Sequence, residues 1–157
     1  METITATLEE RTKEVAYMLN TILADEYVLY TKTRHAHWNV EGGDFQSLHL
    51  FFETQYRQLD ALVDDVAERI RTIGHYVPAH LKMFLQETHF TEQETAANDG
   101  KTYLGALLSD HEALILHFKE ILPSLEEKYR DLGTASFVSK LLEVHEKMAW
   151  MLRAHLR

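Results

Sequence analysis

Two histidines and three carboxylates occur between residues 37 and 68 in a pattern that suits metal binding. Imidazole and carboxylate groups are ligands for Fe(II), Mn(II) and Zn(II) alike, so the residue types alone do not select one metal. The chain contains no cysteine, which excludes disulfides and thiolate-bound metal clusters. The candidate ligands are His37, His49, Glu53, Asp64 and Glu68.

The two histidines are placed symmetrically about a glycine pair. In the segment HWNVEGGDFQSLH, His37 and His49 each lie six residues from Gly43. Glycine favours a break in a helix, and a helical hairpin that folds back there brings equidistant residues opposite each other. We therefore expect His37 and His49 to approach each other in the folded chain.

The carboxylates share a helix face but lie too far apart for one metal ion. At about 100° per residue, the eleven residues from Glu53 to Asp64 return to within about 20° of the same direction but span roughly 16 Å. Metal–ligand bonds are only about 2 Å long. A second copy of the helix, antiparallel across a two-fold axis near Leu59, would bring His49 and Glu53 to the partner's carboxylates. The spacing thus predicts a C2 dimer, or a larger shell built from it, with Asp64 and Glu68 completing each site.

Several of these residues also have ordinary structural explanations. An acidic pair at helical spacing usually lies on a solvated face, and a lone histidine is usually a helix-end or partly buried residue, so only the combination favours a metal site. Trp38 either fills the corner of the hairpin, which we favour, or intercepts oxidising equivalents, and the same holds for Tyr30 and Tyr56. Arg57 and Asp60 form either reciprocal salt bridges between copies or an unrelated surface pair.

Helical periodicity extends along nearly the whole chain, which contains only 2 prolines and 6 glycines. Four long helices with one long crossover between the second and third predict an all-α, ferritin-like four-helix bundle, with residues 1–157 as a single domain. The first predicted helix begins at a capping box at Thr7 and ends near Val40, and the second covers about 28 residues and ends at Gly74. A short crossover helix is predicted at 78–86. The third long helix is predicted from about Asp99 to Asp131 with an interruption at Pro123, and the fourth from a cap at Thr134 to Ala154.

Composition narrows the function classes further. The formal charge of -9 argues against a surface built for nucleic acid. No run approaches the roughly 18 apolar residues of a membrane span, and the amino terminus lacks the pattern of a secretory signal. We expect a cytoplasmic protein without membrane association.

Two segments resemble the signatures of the Dps family, the DNA-binding proteins from starved cells, within the ferritin-like superfamily. The first consists of HWNVEG at 37–42, LH at 48–49 and Glu53, and the second of VDDVAER at 63–69 followed by IG at 73–74. The resemblance spans essentially the whole chain through its helix order. Many members carry Asp at the position of Glu53, so this chain keeps the carboxylate on a longer side chain.

The resemblance implies an iron-oxidising enzyme, a ferroxidase. Its di-iron centre would use His37, His49 and Glu53 of one subunit with Asp64 and Glu68 of another, and Zn or Mn could substitute for Fe. The subunits would form a dodecameric shell that oxidises Fe(II), preferably with hydrogen peroxide rather than oxygen, stores ferric mineral and protects against oxidative damage.

Three rival functions are distinguishable in the sequence. An ordinary ferritin or bacterioferritin uses Glu-x-x-His motifs inside one bundle, and here no Glu or Asp has His three residues later. DNA compaction is the alternative function that the resemblance allows, but residues 1–14 carry Arg11 and Lys13 against four glutamates, so we expect weak DNA binding. A helical scaffold without catalysis is the third.

Overall fold

Four long helices pack as a bundle in the part of the chain that the structure describes. The computed structural model describes residues 2–94 and 96–157, with side chains from residue 8 onward. No β-strand occurs in these ranges, which confirms the all-α, ferritin-like arrangement with a short helix in its long crossover. The helices are α1 (Glu2–Asn39), α2 (Phe45–Thr72), α3 (Leu81–Glu87), α4 (Gly100–Pro123), extended by a π-helical turn (Ser124–Lys128), and α5 (Leu132–Ala154).

The predicted helix ends need three corrections. α1 already includes Glu2, so Thr7 lies inside the helix rather than at its cap, because no proline or glycine breaks the chain before it. The crossover helix begins at Leu81, after Pro78. The cap of α5 is Asp131, whose carboxylate accepts hydrogen bonds from the backbone N–H and the hydroxyl of Thr134 at 2.9 and 2.7 Å. A carboxylate caps more strongly here because it satisfies both donors.

The apolar stripes of the helices form one continuous core. Nearly all stripe residues are buried or partly buried, but Leu8 is an exception with 55% of its surface exposed. No described helix is long and apolar enough to cross a membrane. The largest fully buried side chains include Leu19, Ile22, Leu23, Leu29, Leu48, Phe52, Leu59, Ile70, Leu114, Phe118, Leu125 and Met148.

Glycines allow the α1–α2 hairpin to turn tightly and to dock on α4. Gly42 has φ +125°, a backbone conformation that residues with a Cβ rarely adopt. A Cβ on Gly100, at the start of α4, would lie 2.3 Å from Cδ1 of Leu48, so only glycine permits this close approach. The backbone N–H of Glu41 donates to the carbonyl of Asn98 at 2.8 Å. These contacts fix the hairpin that carries both predicted histidine ligands.

A buried chain of polar side chains joins α1, α4 and α5 inside the bundle. Glu26, His111 and His145 are each 0% exposed. Oε1 of Glu26 lies 2.7 Å from Nε2 of His145, and Nδ1 of His145 lies 2.9 Å from Nδ1 of His111. With both rings neutral, His111 donates to His145 and His145 donates to Glu26. Oε2 of Glu26 and Nε2 of His111 then remain buried without partners among the described residues.

We expect the folded protein to lose stability as the pH falls below about 6.5. Burial, followed by the electrostatic interaction with His145, holds the pKa of His111 well below its usual value of 6.5. Below that value the unfolded chain binds a proton on His111 that the folded chain does not bind. The free energy of unfolding therefore falls from about pH 6.5 downward, until the lowered pKa is reached.

Thermal midpoints measured between pH 7 and pH 5 test this expectation. His111→Asn keeps an amide donor near His145 but does not titrate, so its midpoint should fall less than that of the wild type. His80→Asn, which removes an exposed histidine, is the matched control and should follow the wild type. An unchanged pH dependence in His111→Asn would contradict the expectation.

Candidate metal site at the α1–α2 hairpin

The two hairpin histidines face each other as predicted. The rings of His37 and His49 are stacked, with centroids 3.8 Å apart and planes at 19°. Nδ1 of His37 lies 2.7 Å from the carbonyl oxygen of His49, and Nδ1 of His49 lies 2.8 Å from that of His37. A carbonyl only accepts, so both Nδ1 atoms carry the proton and, in the neutral rings, both Nε2 atoms keep a lone pair. This reciprocal contact leaves each ring in the form that binds metal through Nε2.

The burial of the histidines suits a site at the edge of the chain. His37 is buried, with 8% of its surface exposed, and His49 is half-buried. Within residues 2–94 and 96–157, neither Nε2 atom has a hydrogen-bond partner. The ring of Tyr56 packs edge-on against His37 at 5.2 Å between centroids. The two lone pairs are thus held in place and are free to bind a ligand from outside the chain.

Glu53 lies one turn after His49 and is held by Arg57. Nη2 and Nε of Arg57 donate to Oε1 of Glu53 at 2.6 and 3.0 Å. These hydrogen bonds, together with the positive charge of Arg57, hold the pKa of Glu53 below its usual value against the opposing effect of burial. Glu53 is therefore ionised at neutral pH. Arg57 was expected to pair with Asp60, but its four-residue spacing from Glu53 also indicates the pair observed here.

Asp64 and Glu68 lie farther along α2 and are exposed. The eleven residues between Glu53 and Asp64 span roughly 16 Å of helix. The chain thus brings together His37, His49 and Glu53 but keeps the second carboxylate pair away from them. Among the described side chains, no group of three or more His, Asp or Glu residues is arranged to hold a metal ion. Within one chain, the described residues therefore do not form a complete metal site.

Three large apolar side chains close in sequence to the histidines are exposed. Trp38, Phe45 and Leu50 are 62%, 42% and 51% exposed. The expectation that Trp38 fills the hairpin corner is therefore wrong, because its indole stays on the surface with the Arg34 guanidinium 4.9 Å from its ring centre. Phe45 also contacts the ring of His49, with 5.0 Å between ring centroids.

Arg34 is a supporting residue that was not among the residues predicted from the sequence. Its guanidinium also lies 4.9 Å from the ring centre of Tyr56, and its Nη1 donates to the hydroxyl of Tyr30 at 2.7 Å. These contacts hold Tyr56 against His37. The four-residue spacing of Tyr30, Arg34 and Trp38 along α1 is the sequence signal that indicates this cluster.

This chain is similar to known proteins over most of its length. Residues 17–157 match the ferritin-like domain family. An uncharacterised low temperature-induced protein of Nostoc is 36% identical over 148 residues, covering 94% of this chain and 83% of that protein. A DNA protection during starvation protein of Helicobacter pylori is 34% identical over 139 residues, covering 88% of this chain and 96% of that protein.

Solved structures share the fold over nearly all of the chain. The Dps protein of Vibrio cholerae, described as a member of a superfamily of ferritin-like diiron-carboxylate proteins, has a TM-score of 0.87 and 31% identity, with 94% of this chain and 92% of that chain covered. The Dps protein of Bacillus brevis has the same TM-score and identity, with 94% and 98% covered. The hairpin histidines, the helix order and these matches together show that the chain belongs to the Dps family of ferritin-like proteins.

Proposed function

We propose that this protein is a ferroxidase that oxidises Fe(II) at a di-iron site shared between two copies of the chain. Membership of the family supports a general role in iron storage and protection. In the proposed site, His37, His49 and Glu53 come from one copy, and Asp64 and Glu68 come from the other. The ferric product is stored as mineral in a hollow dodecameric shell, which removes both iron and oxidant from the cytoplasm.

The observation that carries this proposal is the reciprocal contact between the two histidines. Each Nδ1 donates to the other residue's carbonyl, which leaves two Nε2 lone pairs on stacked rings 3.8 Å apart. Metal-binding histidines commonly donate their second N–H to a carbonyl or carboxylate in this way. A surface histidine pair without a metal role does not require both rings to carry their proton on Nδ1.

The incomplete ligand arrangement favours a second copy of the same chain as the partner. A two-fold axis near Leu59 would run between the two halves of α2 and would bring each histidine pair to a partner's carboxylates. The exposed Trp38, Phe45 and Leu50 would be covered at the same time. Both sites of the dimer would be completed by this one operation.

The ligand types fit the proposed chemistry. Imidazole nitrogen and carboxylate oxygen suit Fe(II), and Zn(II) or Mn(II) could occupy the same ligands. Two Fe(II) ions each give one electron to hydrogen peroxide, the O–O bond breaks, and two protons are taken up to form two water molecules. The carboxylates of Glu53, Asp64 and Glu68 offset the charge that the ions gain, and oxygen could replace peroxide as electron acceptor.

Replacing His49 by Ala should abolish rapid iron oxidation, because it removes one lone pair and the carbonyl-bound ring that orients His37. The measurement is the rise of ferric absorbance after Fe(II) and hydrogen peroxide are mixed with the protein, compared with protein-free solution. His35→Ala is the matched control, since His35 lies on α1 two residues before His37 and its ring contacts Tyr103 rather than the hairpin histidines. Equal rates for wild type and His49→Ala would favour a scaffold without catalysis.

DNA compaction is the alternative function that the names of the relatives suggest. The formal charge of -9 gives it little support, because phosphate binding needs several available cations. We therefore keep weak DNA binding as a secondary property beside iron oxidation.

A further inference from the structure

A second group of histidine and carboxylate side chains lies where α1, α4 and the segment that follows α3 meet. A cavity of about 280 Å³ is lined there by Asp25, His89, His117 and Glu120, together with apolar residues. None of these residues belongs to the ligand set proposed at the hairpin. The group therefore calls for its own explanation.

Asp25 fixes the position and the tautomer of His89. Asp25 is 0% exposed, and its Oδ1 accepts hydrogen bonds from the Thr88 hydroxyl and from the backbone N–H of His89, both at 2.7 Å. Its Oδ2 lies 2.8 Å from Nδ1 of His89. A carboxylate oxygen only accepts, so Nδ1 carries the proton, and the neutral ring keeps its lone pair on Nε2. A carboxylate that orients a histidine in this way is a common support for a metal ligand.

His117 faces His89 from α4. The two ring centroids are 4.7 Å apart, and the ring planes meet at 58°. Two nitrogen ligands of one tetrahedral ion lie roughly 3.4 Å apart when their bonds are about 2.0–2.1 Å long. To bind one ion, the two side chains would have to rotate until one nitrogen of each ring lies at this distance from the other.

Glu120 supplies a carboxylate next to this histidine pair. It follows His117 by three residues on α4, so both side chains project from the same helix face. Glu120 is exposed and lines the same cavity, so its side chain is free to turn inward. Among the described residues, neither Nε2 of His89 nor either ring nitrogen of His117 has a hydrogen-bond partner.

We propose that His89, His117 and Glu120 bind a divalent transition-metal ion such as Zn(II), with Asp25 positioning His89. This site is separate from the hairpin site and needs no second copy of the chain. As at the hairpin, the side chains are not yet gathered around one point, and the ion would draw Glu120 toward the two rings. The bound ion would join the crossover segment to α4.

The test is a Zn(II) titration by calorimetry in the full chain carrying His37→Ala and His49→Ala, which removes the hairpin histidines. We expect about one Zn(II) per chain, with affinity reduced about 10- to 100-fold by an added His117→Gln or His89→Gln. His80→Gln in the same background removes an exposed histidine elsewhere and should leave the affinity unchanged. Visible absorption of bound Co(II) provides a second readout of histidine ligation.

Two results would overturn the proposal: no Zn(II) binding in the background protein, or binding that neither His89→Gln nor His117→Gln weakens. In that case Asp25 serves only to anchor the crossover segment. Iron oxidation by His117→Gln in the otherwise native chain should equal that of the wild type. Failure of this metal site is therefore distinguishable from failure of the proposed ferroxidase.

Discussion

Mixing two inactive variants should restore iron oxidation. One variant carries His37→Ala and His49→Ala, and the other carries Asp64→Ala and Glu68→Ala. Each variant alone lacks half of every proposed site, so neither should oxidise Fe(II) faster than protein-free solution. In a mixed dimer, the native histidines of one chain meet the native carboxylates of the other, and one of the two sites is intact.

The expected recovery follows from random pairing of the two chains. Half of the dimers are then mixed and each holds one intact site, so the rate should reach about a quarter of the wild-type rate. Ferric absorbance after co-expression or co-refolding measures this recovery. The control is a mixture of separately assembled variants that do not exchange subunits, which should stay inactive. A site formed within one chain would give no recovery in either preparation.

His145→Leu should destabilise the protein by about 3–5 kcal/mol, because it leaves the Glu26 carboxylate buried without its partner. Both residues are 0% exposed, and the 2.7 Å contact is the only hydrogen bond of Glu26's side chain among the described residues. For a chain of this length, such a loss lowers the thermal midpoint by roughly 6–20 °C. Thermal or urea unfolding followed by circular dichroism measures the effect.

Replacing all three buried polar residues distinguishes the effect of an unpartnered polar group on stability from the effect of a packing defect. The triple variant Glu26→Met, His111→Leu and His145→Leu removes all three polar groups while roughly keeping their volume. Apolar replacement of a complete buried network is often neutral or stabilising, so the triple variant should be more stable than His145→Leu alone. If His145→Leu were as stable as the wild type, the three buried polar residues would have no role in holding the helices together.

Local sequence patterns predicted the features of the molecule that depend on nearby residues. The length of α2, the glycine-bounded hairpin and the approach of His37 to His49 follow from helical geometry over twelve residues of chain. The pairing of Glu53 with Arg57 was equally accessible, because four-residue spacing places them on one face. Helix periodicity and a tight turn act over short distances, so the sequence alone carries them.

Helix ends and surface positions were less predictable. Thr7 and Thr134 have good capping side chains, but α1 extends beyond Thr7 and Asp131 caps α5. Trp38 is a large apolar residue, yet 62% of its surface is exposed. Capping preferences and hydrophobicity are weak priors, and the packing of the whole chain decides between competing residues.

The sequence by itself determined the helical class, the long crossover and the candidate ligands, because each depends only on residue types and on their spacing along short segments. Only the tertiary structure decided that Glu26 meets His145 and that Asp25 fixes His89. These pairs are separated by 119 and 64 residues, and their contact depends on how the helices pack rather than on any local pattern. The fold also decided that His37 and His49 present matched lone pairs, because backbone carbonyls across the hairpin fix their tautomers.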